Sequence, residues 1–197
     1  MKKYFPVFLF FVLGALVIRA GALNYFQPGS SPSIEKNHPI DTLDKLYQDL
    51  SIVKIPAVMP PTDMAITDLE ENPVKLSIFK GRVVFLNFWA SWCDACRVEM
   101  PSMEKLHQKF KDKDFSMVAV DLQEPAALVK NFFAAYKLTF LPLLDSNGQM
   151  SAAFGIHTIP TTFVLNRQGR VIGKAVGARD WYSKASLAFF EHLVESE

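Results

Sequence analysis

The chain has 197 residues, half of them hydrophobic and 21% charged, with a formal net charge of +1 at pH 7. That length and balance suit one globular domain with accessories, and the near-neutral charge excludes a nucleic-acid-binding surface. Two cysteines are too few for the disulfide framework of a small secreted protein, so whatever that pair does, it does alone.

The chain opens MKKYFPVFLFFVLGALVIRAGAL, with Lys2 and Lys3 before an almost unbroken apolar run from Phe5 to Ile18. A positive start followed by a short apolar stretch is the form of an export signal, and Ala20-Gly21-Ala22 fits the small-x-small rule for cleavage. Residues 4–23 also approach the ~20 that span a bilayer. An uncleaved hydrophobic helix is therefore the favoured reading, with a soluble periplasmic form after cleavage near Ala22 as the alternative. Arg19 complicates both. In either case the lysines keep the N-terminus in the cytoplasm and the rest is exported, on the periplasmic side. Residues 1–23 thus read as a signal anchor or signal peptide, and residues 24–54 as a linker. Asn24 to Pro39 is polar and broken by proline and glycine. Asp41 to Leu50 carries Leu43, Leu46, Tyr47 and Leu50 at the spacing of a short amphipathic helix. The following IPAVMPP is expected to exclude regular structure.

Residues 55–197 form the expected α/β domain. AITDLEENPVKLSIF reads as two short strands about a turn at Glu71-Asn72-Pro73. Arg82 to Phe88 is a nearly continuous apolar strand, the pattern of burial on both faces at the middle of a sheet. A helix follows from Cys93 to about Lys111, with Met100, Met103, Leu106 and Phe110 along one side. Pro101 lies within it and costs a backbone hydrogen bond, but the stripe continues past it, so a kinked rather than an ended helix is expected. Phe115 to Val120 is the next strand. Pro125 to Lys137 is a helix with proline in its first turn and Leu128, Val129, Phe132, Phe133 and Tyr136 inward. Leu143-Leu144 is a short strand and Ser151 to Phe154 a helical turn. TTFVLNRQGRVIGKAV is a β-hairpin about Asn166 to Gly169. Asp180 is the expected N-cap of a last helix that turns Leu187, Phe190 and Val194 inward. Alternating strands and helices imply a mixed sheet with helices on both faces.

The stretch WASWCDACRVEMP, Trp89 to Pro101, holds both cysteines, Cys93 and Cys96. A metal needs about four ligands, and the four histidines, His38, His107, His157 and His192, follow no zinc spacing. Haem attachment needs a histidine after the second cysteine, where Arg97 stands. A structural disulfide closing so short a loop gains little, so the pair makes sense as one that opens and closes. Cys93 sits where a central strand ends and a helix begins, the place where open α/β sheets put their sites. Unpaired N–H groups and the helix dipole stabilise a thiolate there. Cys93 is thus the expected exposed nucleophile, and Cys96, one turn on and more buried, the resolving thiol. Asp94 disfavours the thiolate by like-charge repulsion.

VVFLNFWASWCDACRVEMP, with the later IPTTFVLNRQGRV and GARDW, resembles the thioredoxin superfamily, and within it the TlpA/ResA-like branch of exported thiol-disulfide oxidoreductases. The resemblance covers about residues 55–195. It implies a thioredoxin-like fold: a central mixed β-sheet flanked by helices, with an N-terminal strand extension and a helical insert at about residues 121–140. It also implies that Pro160 is a cis-proline facing the disulfide, against the roughly 5–6% expected of X–Pro bonds. Thr158 and Ile159 would then present backbone to a substrate strand, and Trp92 would flank Cys93 on the contact surface. Cytoplasmic members carry a buried Asp where this chain has Asn87, which shuttles no proton. Glu99 instead matches the acidic residue that the ResA-like branch places after its cysteines. One turn past Cys96, it would raise the thiol pKa values and accept the Cys96 proton.

The resemblance therefore implies an extracytoplasmic enzyme, most simply a protein-disulfide reductase cycling through a Cys93–Cys96 disulfide, with no cofactor. Its partners would be disulfide-bearing proteins, apocytochrome c awaiting haem among them, and a membrane thiol reductase as electron donor. The opposite direction, disulfide oxidase or isomerase, rests on reduction potential alone; Asp94 and Ile159 favour the reductant. Copper chaperones on this fold use C-x-x-x-C with a distal histidine, and peroxidases a single peroxidatic cysteine. Neither matches.

Overall fold

A computed structural model of the chain describes residues 42–58, 60 and 66–196. The expected hydrophobic helix at residues 4–23 and most of the linker lie outside the described residues, among which no helix is long and apolar enough to cross a membrane. In chain order the elements are helix α1 (Thr42–Asp49), strands β1 (Val53–Val58), β2 (Ile66–Thr67) and β3 (Pro73–Val74), a 3-10 turn at Leu76–Phe79, β4 (Val83–Trp89), α2 (Asp94–Phe110), β5 (Phe115–Asp121), α3 (Ala126–Tyr136), β6 (Leu141–Leu144), α4 (Gln149–Ala153), β7 (Thr161–Leu165), β8 (Val171–Val176) and α5 (Lys184–Ser196).

The strands form one mixed sheet in the order β1-β8-β7-β4-β5-β6-β2-β3. The central strands β4, β5 and β6 run parallel, and the remaining pairs are antiparallel. All seven residues of β4 are buried, as its continuous apolar run requires. Side chains alternate across a strand. Val83, Phe85 and Trp89 therefore enter the larger core with Met100, Met103, Val129, Phe133, Phe189 and Phe190 from α2, α3 and α5. Val84, Leu86 and Phe88 enter a second core with Leu76 and Met150. Asn87, in register with the first set, points toward α2.

Four expectations are corrected. IPAVMPP does not exclude regular structure: Val53 to Val58 is an edge strand beside β8. Pro56 is tolerated because the pairing breaks register between Lys54 and Val58, and an edge or bulged strand can spare an N–H. The stretch after Val74 turns into the 3-10 segment rather than extending β3. Leu128 is 52% exposed and off the buried side of α3, where Val129 and Phe133 anchor the helix. Ser183, not Asp180, caps α5: its hydroxyl accepts the Ser186 N–H at 3.2 Å, while the Asp180 carboxylate takes the N–H of Tyr182 in the turn before. Elsewhere α2 runs through Pro101 to Phe110, and the β7–β8 hairpin closes through Gly169, whose φ of 76° suits glycine.

Helix α1 packs into the larger core through Tyr47 and Leu50. The Tyr47 ring meets Phe189 edge-on at 5.0 Å, and its hydroxyl donates to the Ile172 carbonyl at 3.2 Å.

Candidate active site

At the C-terminal end of β4 the chain turns, the Cys93 N–H bonding the Ala90 carbonyl. Cys93 becomes the N-cap of α2 in extended conformation, and its sulfur accepts the Cys96 N–H at 3.1 Å. One orphan donor of the helix start is thereby satisfied by sulfur, the arrangement that favours a thiolate there. Cys93 and Cys96 form a disulfide with Cα atoms 5.2 Å apart. Cys93 is 7% and Cys96 0% exposed. The order matches expectation, but Cys93 is buried rather than exposed, because it packs into the larger core. The exposed side chain is its neighbour Trp92, at 67%. Asp94 is exposed, with Arg97 Nη1 3.3 Å from its carboxylate.

One turn beyond Cys96, Glu99 lies on the buried side of α2 and is 1% exposed. Its Oε1 accepts from Asn87 Nδ2 and its Oε2 from Trp181 Nε1, each at 2.9 Å. The Arg179 backbone N–H is a further donor. Burial raises the Glu99 pKa to about 7, against the lowering pull of Trp181, Asn87 and the Arg179 charge. A carboxyl that is deeply buried yet surrounded by donors is held ready to change protonation near neutral pH. Asn87 Nδ2 also donates to Thr162 Oγ1 at 3.0 Å, while its buried Oδ1 has no partner among the described residues.

The other expected site residues gather at the same end of the sheet. The Ile159–Pro160 bond is cis. Pro160 is buried, leads into β7 and accepts the Gly177 N–H at 2.8 Å. Since Thr161 pairs with Phe88 of β4, the proline stands beside the strand end that carries the cysteines. Thr158 is exposed and Ile159 half-buried. The Thr158 carbonyl already accepts the Thr161 hydroxyl at 2.6 Å.

Sequence reasoning missed the partners of Glu99. Trp181 is 82 residues away, and nothing in local spacing links the two; the run GARDW, which carries part of the family resemblance, is the signal the sequence offers. A carboxylate pair, Asp121 and Glu124, was also missed. Asp121 ends β5 opposite Trp89 and is fully buried. Glu124 Oε2 accepts the Ser91 N–H at 2.5 Å and its Oε1 the Ser91 hydroxyl at 2.6 Å. The Glu124 N–H donates to Asp121 Oδ1 at 2.9 Å. Burial and the neighbouring Glu124 carboxylate hold the Asp121 carboxyl well above the usual range. Glu124 is kept ionised by its bonds from Asp121 and Ser91, which outweigh its own partial burial. Glu124, its own N–H bonded to Asp121, thus clamps the backbone two residues before Cys93.

Among solved structures, one described as a thiol:disulfide interchange protein DsbE from Chlorobium tepidum matches with a TM-score of 0.64 and 32% identity over 72% of this chain and 99% of that one. StoA from Bacillus subtilis matches at 0.55 and 30% identity, over 68% and 97%. The fold is thioredoxin-like. Curated relatives named thiol-disulfide oxidoreductase ResA are 39% identical over 115 residues in Bacillus thuringiensis subsp. konkukian (strain 97-27), covering 58% of this chain and 66% of that protein. The relative from Bacillus subtilis (strain 168) is 35% identical over 115 residues, covering 58% and 64%. The match spans just under two thirds of these relatives' own length. A family model described as Redoxin matches residues 53–188, from the first strand into the last helix, and with most of its length so matched the chain belongs to the Redoxin family.

Proposed function

We propose that the chain is an extracytoplasmic thiol-disulfide oxidoreductase that reduces disulfides in exported proteins, held at the membrane by residues 4–23. The observation that carries this reading is Glu99, buried one turn below Cys96 with a pKa near 7. In the reduced enzyme the Cys93 thiolate attacks a substrate disulfide, forming a mixed disulfide and expelling one substrate thiolate. Glu99, as carboxylate, takes the Cys96 proton. The Cys96 thiolate then attacks Cys93 sulfur, closes the Cys93–Cys96 bond and releases the second substrate thiolate. Two electrons pass to the substrate, and its two thiolates take up the two protons the dithiol gives up, one of them by way of Glu99 and water.

Trp92, Thr158, Ile159 and Pro160 form the surface on which the substrate backbone lies. Glu124, seated on Asp121, keeps the Ser91–Cys93 turn in place beside it. Regeneration needs a dithiol donor, which we assign to a membrane thiol reductase because exported space is oxidising. An apocytochrome c awaiting haem fits as substrate, since its paired thiols must stay reduced. Likeness to ResA and DsbE proteins and the apolar N-terminal run support these assignments. Arg97 pairs with the Asp94 carboxylate and offsets its repulsion of a Cys93 thiolate, so Asp94 favours a reductant only weakly.

The test is the midpoint potential of the Cys93–Cys96 couple measured against pH. A value near the −270 mV of thioredoxin supports the reductase, and one near the −120 mV of DsbA reverses the direction. In Glu99→Gln the potential–pH profile should lose its inflection near pH 7 and the thiol pKa values should fall. An unchanged profile removes Glu99 from the mechanism.

A further inference from the structure

We propose that Arg179 is a positioning residue that couples helix α1 to Glu99, so that docking of residues 42–51 adjusts the redox equilibrium of the dithiol. The inference rests on Glu99 as the proton acceptor of Cys96.

Arg179 lies between β8 and α5, and its guanidinium bridges two parts of the chain. Nη1 donates to the carbonyls of Leu50 and Ser51. Nη2 donates to the carbonyls of Val176 at 2.9 Å and Gly177 at 3.2 Å, and Nε to Gly177 at 3.4 Å. Leu50 and Ser51 directly follow α1, where a helix leaves its last carbonyls unpaired and its dipole negative, so the cation is matched to that end. These bonds all go to backbone carbonyls, and the planar fork holds its place by geometry.

The same residue acts on Glu99 by three routes. Its backbone N–H donates to the carboxylate, and its charge favours the ionised form. Its guanidinium carbon lies 5.1 Å from the centre of the Trp181 ring, a cation–π stack over the indole that donates to Glu99 Oε2. Ser102 locks this loop onto α2: its hydroxyl accepts the Trp181 N–H at 3.0 Å and donates to the Glu99 carbonyl at 2.8 Å. The charged or titratable groups about Glu99 are then Cys93 and Cys96 on its own helix and Arg179 from the β8–α5 loop. Asn87 on β4, itself bonded to Thr162 on β7, and Trp181 supply neutral polar contacts.

When α1 leaves, the fork loses the Leu50 and Ser51 acceptors and the guanidinium turns to water. Glu99 then loses its cationic neighbour and holds its proton to higher pH, so it accepts less readily from Cys96. Helix α1 is the first described element after the proposed anchor, so strain or a partner at that junction would reach the dithiol through one side chain.

The test uses the full chain and reads the Glu99 carboxyl titration by carbon NMR, with the potential–pH profile alongside. Arg179→Met should raise the Glu99 midpoint by more than about half a pH unit, in the direction set by losing an opposite charge. Arg179→Lys, which keeps the charge without the fork, should raise it less, and stands in if the methionine variant does not fold. Tyr47→Ala, which loosens α1, should shift Glu99 in the wild-type background but not beside Arg179→Met. An unmoved Glu99 midpoint in both Arg179 variants, with the potential still altered by Glu99→Gln, overturns the coupling and spares the mechanism. An unaltered profile in Glu99→Gln overturns the mechanism itself.

Discussion

Glu99 is held by opposing forces, and its pH behaviour shows which one wins. Its donors, Asn87, Trp181 and Arg179, favour the charged form, yet burial prevails and sets the pKa at about 7 against an ordinary value of 4.5. The folded state therefore binds this proton more tightly than the unfolded chain does. Stability from this residue is complete below pH 4.5 and is lost as pH rises through about 7. The loss is about 3 kcal/mol, at ~1.4 kcal/mol per pKa unit. Urea unfolding from pH 4 to 8 should show wild-type stability falling relative to Glu99→Gln across that window, with the difference flat on either side. Asp121, raised for the same reason of burial and by its Glu124 neighbour, adds a second decline in the same direction that overlaps this window and extends above it, which the Glu99 variant leaves in place.

Among the elements, the best-read were those whose pattern is local. The continuous run of β4, the stripe of α2 past Pro101 and the hairpin about Gly169 each announce themselves within a dozen residues. Cys93, Cys96 and the cis bond before Pro160 followed from motif spacing and family resemblance. What escaped depends on distant partners. Strand β1 hides behind Pro56, because only the broken register against β8 makes a proline acceptable there. Leu128 obeys helical spacing but is half exposed. Trp181 and Thr162 reach the site through the tertiary fold, and no sequence interval encodes them. The seat of α1 is likewise invisible in its own sequence, since it depends on Gly173 of β8. A Cβ placed on Gly173 would lie 2.8 Å from Ile52 Cγ2 and 3.2 Å from Tyr47 Cε1, closer than packed carbons come. Gly173→Ala should cost about 1–3 kcal/mol by overpacking. Hydrogen exchange should quicken in residues 42–54 while β4 and β5 keep their protection.

For the molecule as a whole, the two faces of the sheet are unequally dressed. Helices α1, α2, α3 and α5 cover the face that carries Asn87 and Glu99, and the 3-10 turn and α4 cover the other. The protonatable site therefore lies under the thicker layer, which is why burial dominates its electrostatics. The disulfide constrains this architecture little: it joins residues three apart, and so short a ring removes little freedom from an unfolded chain. Oxidised and reduced proteins are then two corners of a thermodynamic square whose other corners are the same chain unfolded, with and without the bond. The difference in unfolding free energy between the two folded forms must equal the displacement of the couple from that of the unfolded segment, with ~30 mV for each 1.4 kcal/mol. For a reductant the oxidised fold is the sturdier. Paired denaturation curves, with and without a thiol reductant, would thus measure the direction of electron flow without any substrate in the tube.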